Sequence, residues 1–184
     1  ADSFGSFMPK DVEKYFKKLQ SIGFLRIGFH AHNNLQLAFA NSIKAMELGA
    51  WLIDASIYGM GRGGGNLPIE ILLNYLNKEI LQSCKTLLLN DVNIKLDTEP
   101  YIDIIEKFYL EEMQKTPWGY NFSTLISGMK NIHPYYVNEL VEKKQYDSKE
   151  ILQKTDELKA NCPVHFCREE MEKQLNKDFA GSIL

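Results

Sequence analysis

Phe24-Leu25-Arg26-Ile27-Gly28-Phe29-His30-Ala31-His32-Asn33-Asn34 alternates an apolar parity (Leu25, Ile27, Phe29) with one that carries Arg26, Gly28, His30 and His32. Side chains two apart in a strand share a face. The stretch therefore predicts a strand over 24–32 with its apolar face packed outward on helices and its two imidazoles projecting together. Two imidazoles and a carboxylate make a site for a divalent ion with positions left open for substrate. An H-x-H in a strand also occurs as a hydrogen-bonded surface pair, and the stretch alone leaves both readings open. Asn34 is a candidate cap for the following helix.

The flanks supply the architecture. Upstream, Val12, Tyr15, Phe16 and Leu19 keep helical spacing, with Pro9 near the start and Gly23 just past the end. Downstream, Phe39, Ile43, Met46 and Ala50 form one helical stripe ending at Gly49. Trp51 to Ser56 reads as a second strand. Pro68 then opens a helix that buries Ile69, Leu72, Leu73 and Leu76. Alternating strand and helix is the period of a parallel α/β protein, which sets its functional groups at the carboxyl ends of the strands. Beyond about Glu79 the pattern turns helical. Leu87 to Leu89 reads as a short strand, Thr98 to Gln114, Tyr135 to Lys144 and Ser148 to Leu158 as helices. The expected division is an α/β unit over 1–90 and an α-helical region over 91–184.

Between the second strand and its helix lies Gly59-Met60-Gly61-Arg62-Gly63-Gly64-Gly65-Asn66, which contains G-x-G-x-x-G. A dinucleotide fingerprint also needs an acidic residue about 20 positions on, at the end of the next strand. Here that distance falls at Glu79, in or just after a helix, so the nucleotide reading is set aside. Glycines at a helix start let backbone approach a ligand and offer N–H groups to an anion. Arg62 and Asn66 are the side chains such a loop presents.

A formal net charge of -3 gives no electrostatic footprint for nucleic acid. No apolar run approaches the roughly 20 residues of a membrane span, and residues 1–5 have no signal-peptide character. Cys84, Cys162 and Cys167 are an odd set without a disulfide framework, which predicts a reducing, cytoplasmic setting. Cys162-Pro163-Val164-His165-Phe166-Cys167 is too cramped and incomplete for a zinc site. His133, before Pro134, is either a capped-turn histidine or a substrate contact.

Five ordered segments carry a resemblance: Ala1 to Ser6, Gly28 to Leu35, Ala38 to Ser42, Asp54 to Gly61, and Gly65 to Glu70. They resemble the second half of the catalytic barrel in 4-hydroxy-2-oxovalerate aldolases, within the superfamily of hydroxymethylglutaryl-CoA lyase and the isopropylmalate and homocitrate synthases. The likeness covers roughly residues 1 to 80, and more weakly Gly119 to Leu158. It implies the C-terminal half of a (β/α)8 TIM barrel followed by an α-helical C-terminal region. His30 and His32 would ligate the catalytic metal, Mn²⁺ or Mg²⁺, with Co²⁺ or Zn²⁺ as further options. Asn66 matches an asparagine that is a further ligand in the lyase and synthase branches. Ser3 matches a keto-acid contact, Asp2 supports it, and Gly61 and Arg62 belong to the substrate-binding loop. Tyr120 matches an active-site tyrosine region, although the residues after it depart from the family pattern.

The implied chemistry is a (retro-)aldol reaction of a 2-keto acid such as 4-hydroxy-2-oxovalerate through a metal-stabilised pyruvate enolate. The implied partners are the keto acid, an aldehyde, further copies of the chain and an aldehyde dehydrogenase. The family's first-strand aspartate ligand and arginine are missing, and the chain opens at what should be the fifth strand's end. It then reads as part of a longer protein, a half-barrel that associates through its open edge, binds metal weakly and is inactive alone. The alternatives are an acyl-CoA-dependent Claisen enzyme of the same superfamily and a non-catalytic binding module that keeps the fold.

Overall fold

A computed structural model describes residues 1–80 and 96–181. Helix α1 (Pro9–Ser21) leads into strand β1 (Gly28–His30), helix α2 (Ala38–Glu47), strand β2 (Leu52–Asp54) and helix α3 (Ile69–Tyr75). The described residues from 96 onward are helical: α4 (Glu99–Ile104), α5 (Leu110–Lys115), α6 (Phe122–Lys130), α7 (Pro134–Glu142), α8 (Ser148–Asn161) and α9 (Arg168–Gly181). One π-helical segment, Leu76–Ile80, extends α3, and another, Ile105–Tyr109, joins α4 to α5. The expected strand at Leu87 to Leu89, Cys84 and the 90/91 division lie outside the described residues.

β1 and β2 are parallel, with Gly28 opposite Leu52, Phe29 opposite Ile53 and His30 opposite Asp54. Asp2 makes a parallel bridge to Ala31 on the other side of that run, and His32 bridges antiparallel to Asn66. This mixed α/β arrangement matches the expected class. The strands are shorter than 24–32 and 51–56 because a strand persists only where a neighbour takes its backbone hydrogen bonds. Leu25, expected to pack outward on helices, is 93% exposed, whereas Ile27 and Phe29 are buried.

Val12 and Phe16 of α1 meet Phe29 of β1 in the first core, where the Phe16 and Phe29 rings sit edge to face at 6.4 Å. Burying a phenylalanine of this kind is worth about 1.5–3 kcal/mol. α2 buries Ala38, Asn41, Ser42 and Ala45 rather than its large stripe. Small side chains let the helix approach closely, and Phe39, Ile43, Met46 and Ala50 pack half-buried around it. Thr98 makes no side-chain cap; Asp97 Oδ1 accepts from the Glu99 N–H instead, at 3.0 Å. A second core joins α6 to α9 through Ile126, Tyr136, Leu140, Leu158 and Met171.

The two cores meet at Asn34, which is 1% exposed. Asn34 does not cap α2; Asn33 Oδ1 accepts from the Ala38 N–H at 3.0 Å. Asn34 Nδ2 instead donates to Ser127 Oγ of α6 at 2.8 Å. A Cβ on Gly64 would lie 2.5 Å from Asn34 Cα, and one on Gly128 would lie 2.7 Å from Leu35 Cγ. Glycine is required where these segments cross.

Candidate functional site

His30 closes β1 and His32 follows it on the same parity, so the rings share a face, 4.9 Å apart and inclined at 76°. Each ring has an acceptor at Nδ1. The Asp54 carboxylate, opposite His30 in register, lies 3.4 Å from His30 Nδ1. His32 Nδ1 lies 3.1 Å from the Asp2 carbonyl oxygen, which makes it the donor. A proton held at Nδ1 leaves Nε2 as the lone-pair nitrogen, the arrangement found around metal-ligating histidines. His32 is held below the usual histidine range, first by burial and then by the charges of His30 and Arg62. That favours the neutral, ligating form.

Asn66 is the third candidate donor. Cross-strand partners share a face, so its side chain lies on the side of His32. Its Nδ2 donates to the Met60 carbonyl at 2.9 Å, and its Oδ1 is buried with no hydrogen-bond partner. A buried carbonyl oxygen left unpaired costs about 1–3 kcal/mol, a deficit that a cation removes. A Cβ on Gly61 would sit 2.6 Å from Asn66 Nδ2. Gly61→Ala is therefore expected to turn the amide aside and weaken Mn²⁺ binding about tenfold, by analogy with losing a supporting partner. Isothermal titration of Mn²⁺ reads the change, and unaltered affinity would remove Asn66 from the ligand set.

Among the described residues no three His, Cys, Asp or Glu side chains form a metal-holding group. Two imidazoles and one amide oxygen nevertheless suit a divalent cation that keeps sites for substrate oxygens. The Asp2 carboxylate does not join them: it is buried and accepts from the Ser6 and Phe7 N–H groups at 3.0 and 3.1 Å. Burial raises its pKa against those hydrogen bonds.

Arg62 ties three parts of the chain together. Nη2 donates to the Ser3 carbonyl at 2.8 Å, Nη1 donates to His133 Nε2 at 3.0 Å, and Nε is buried and unpartnered. Ser3 is thus reached through its backbone, and its side chain is exposed. His133 stands at the N-cap of α7, its Nδ1 3.3 Å from the Tyr135 N–H. Burial, followed by the charges of Arg62 and His165, pushes His133 from the usual 6.5 down to about 4. Between those values the unfolded chain takes up a proton that the folded chain refuses, so stability falls as pH drops through that window. Urea midpoints measured from pH 7 to 4 should fall less steeply in His133→Gln than in the wild type.

Trp118 and Gly119 dock on the glycine loop. Trp118 Nε1 donates to the Tyr58 carbonyl at 3.0 Å, and the Gly119 N–H donates to the Gly63 carbonyl at 2.9 Å. Tyr120 is 57% exposed. Between the loop and the helical region lies a cavity of about 830 Å³, lined by Gly61, Arg62, Phe108, Trp118, Tyr135 and Asn138 among others, but not by Tyr120. The Cys162–Cys167 turn is organised by the Tyr136 hydroxyl, which faces the Pro163 and His165 carbonyls and accepts from the Cys167 N–H.

The family model described as HMGL-like matches residues 1–104, and the chain belongs to that family. The 4-hydroxy-2-oxovalerate aldolase of Spirochaeta aurantia is 51% identical over 78 residues, 42% of this chain and 23% of that protein. The aldolase of the same name from Geobacillus genomosp. 3 is 31% identical over 154 residues, 82% of this chain and 42% of that protein. The oxaloacetate decarboxylase of Mycobacterium tuberculosis is 40% identical over 77 residues, 42% of this chain and 23% of that protein. The chain spans less than half the length of these curated relatives. Among solved structures, the N-terminal domain of an aldolase candidate from Bacteroides vulgatus superposes with a TM-score of 0.68 at 36% identity. That alignment covers 83% of this chain and 46% of that one. Among the described residues no helix is long and apolar enough to cross a membrane.

Proposed function

We propose that this chain forms the metal- and keto-acid-binding part of a carbon–carbon lyase acting on a 2-keto acid such as 4-hydroxy-2-oxovalerate. The observation that carries this reading is a set of donors: two imidazoles on one face with both Nδ1 atoms engaged, beside the unpaired Oδ1 of Asn66. His30, His32 and Asn66 would hold a divalent ion, Mn²⁺ or Mg²⁺. When bound, the ion supplies Lewis acidity toward the carboxylate and keto oxygens of the substrate.

The chain's own groups do the rest. Asp54 and the Asp2 carbonyl orient the rings, and Met60 and Gly61 fix the Asn66 amide. Arg62, fixed by Ser3 and His133, offers a half-buried positive group to the substrate carboxylate. The parallel run from Asp2 through β1 to β2 and the helices after it fit the C-terminal half of a (β/α)8 barrel with a helical region. Closing that barrel would require a second copy or further chain. An aldehyde dehydrogenase partner belongs to the same proposal.

The test is pyruvate release from 4-hydroxy-2-oxovalerate and from oxaloacetate, with and without chelator, by Mn²⁺-loaded protein whose barrel is completed by a second copy or further chain. Chelator-sensitive release from the hydroxy acid supports the aldolase reading, and release from oxaloacetate alone assigns the decarboxylase chemistry. Turnover that survives thorough metal removal overturns both.

A further inference from the structure

The cavity beside the glycine loop is larger than a two-carbon aldehyde needs. We propose that it seats the aldehyde end of the substrate and is shaped for an aromatic aldehyde. This rests on the aldolase reading above. The cavity adjoins the candidate centre through one dipeptide: Gly61 backs onto the Asn66 amide, and Arg62 reaches the Ser3 carbonyl. A substrate whose keto-acid end lies at His30 and His32 would extend past Gly61 into this space.

Its volume of about 830 Å³ falls in the range that encloses drug-sized ligands. Four of its lining residues are aromatic: Phe108, Tyr109, Trp118 and Tyr135. The Trp118 ring is a fixed platform, pinned by its indole N–H to the Tyr58 carbonyl and met edge to face by Tyr58 and Tyr109 at 6.2 and 6.4 Å. Aromatic rings prefer such edge and offset contacts. Asn121 and Thr124 also border the space, but they are committed to each other as the cap of α6. Asn138, with Thr116 and the Tyr109 and Tyr135 hydroxyls, borders the space where a ring substituent or the carbonyl oxygen would lie.

The reaction implied is cleavage of 4-hydroxy-2-oxo-4-phenylbutanoate. The C3–C4 bond breaks, its electron pair enters the keto acid as the enolate, and the C4 hydroxyl loses its proton. The products are benzaldehyde and, after protonation at C3, pyruvate. No oxidant or further reactant is needed.

The experiment uses the full chain carrying Trp51→Phe, which leaves Trp118 as its one tryptophan of two. Benzyl alcohol serves as the unreactive probe and ethanol as the control, both without metal. A saturable change in Trp118 emission with benzyl alcohol and none with ethanol is expected, and Asn138→Phe should weaken it at least tenfold by filling the cavity. If that variant fails to fold, Phe108→Ala, at a position 61% exposed, is expected to weaken the probe instead. In Mn²⁺-loaded protein whose barrel is completed by a second copy or further chain, the ratio of kcat/KM for the phenyl over the methyl substrate should exceed one and fall at least tenfold in Asn138→Phe. A Trp118 signal that does not saturate, or that ignores both variants, overturns the inference. Because the probe titration is metal-free, that outcome leaves the metal-site reading standing, whereas Mn²⁺ binding indifferent to His32 would overturn the metal-site reading, and with it the aldehyde role of the cavity, even where the probe still binds.

Discussion

His32→Ala is expected to lower Mn²⁺ affinity by more than about 100-fold while leaving the helical circular-dichroism signal in place. Loss of a group that merely orients a ligand costs about 10–100-fold, and His32 is placed to be a ligand itself. Its structural share is modest, since the ring donates one hydrogen bond to the Asp2 carbonyl, worth about 1 kcal/mol net. Asp54→Asn provides the graded comparison: it keeps the volume beside His30 and removes only the carboxylate charge, so its effect should lie within that lower range. Titration calorimetry ranks the three proteins. Equal affinities would show that the imidazole pair serves only as a hydrogen-bonded surface feature.

The second large effect falls on stability. Gly65 has φ +79°, and a Cβ there would lie 2.4 Å from the Gly59 carbonyl oxygen and 3.3 Å from Trp118 Cδ1. The left-handed backbone alone costs a non-glycine residue about 1–2 kcal/mol. Overpacking against a backbone oxygen adds about 1–3 kcal/mol. Gly65→Ala should therefore lose about 2–5 kcal/mol in urea unfolding. A loss under 1 kcal/mol would mean that the loop relaxes freely and does not hold Asn66. The Asn66 N–H donates to that same Gly59 carbonyl at 2.9 Å, so loop strain and the position of Asn66 are coupled.

The sequence made the histidine pair legible because i and i+2 in a strand share a face, whatever the strand pairs with. The acceptors were not legible. Asp54 comes opposite His30 through the register of two strands separated by a helix, and the Asp2 carbonyl comes through a bridge across 30 positions. The apolar face of α2 was misplaced because hydrophobic stripes favour large residues, whereas its buried slots take Ala38, Asn41, Ser42 and Ala45. Helix α6 escaped notice since Ser123, Thr124, Ser127 and Gly128 are poor helix formers, yet all four are buried. A strong signal was nevertheless present in Asn121 and Thr124, which cap each other. Helix α9 buries only Met171 and Leu175 among its described side chains, too few for its period to stand out from charge.

The seam at Asn34 carries a thermodynamic corollary. One buried amide bonds Ser127 of α6 while the glycine loop closes over its backbone at Gly64. Free energy gained when a ligand tightens the loop is then shared with the junction to the helical region, and the reverse holds by reciprocity. Substrate occupancy should thus slow amide exchange in α6 as well as in the loop. Surface changes that loosen α6 should, in turn, weaken substrate without touching a single liganding atom.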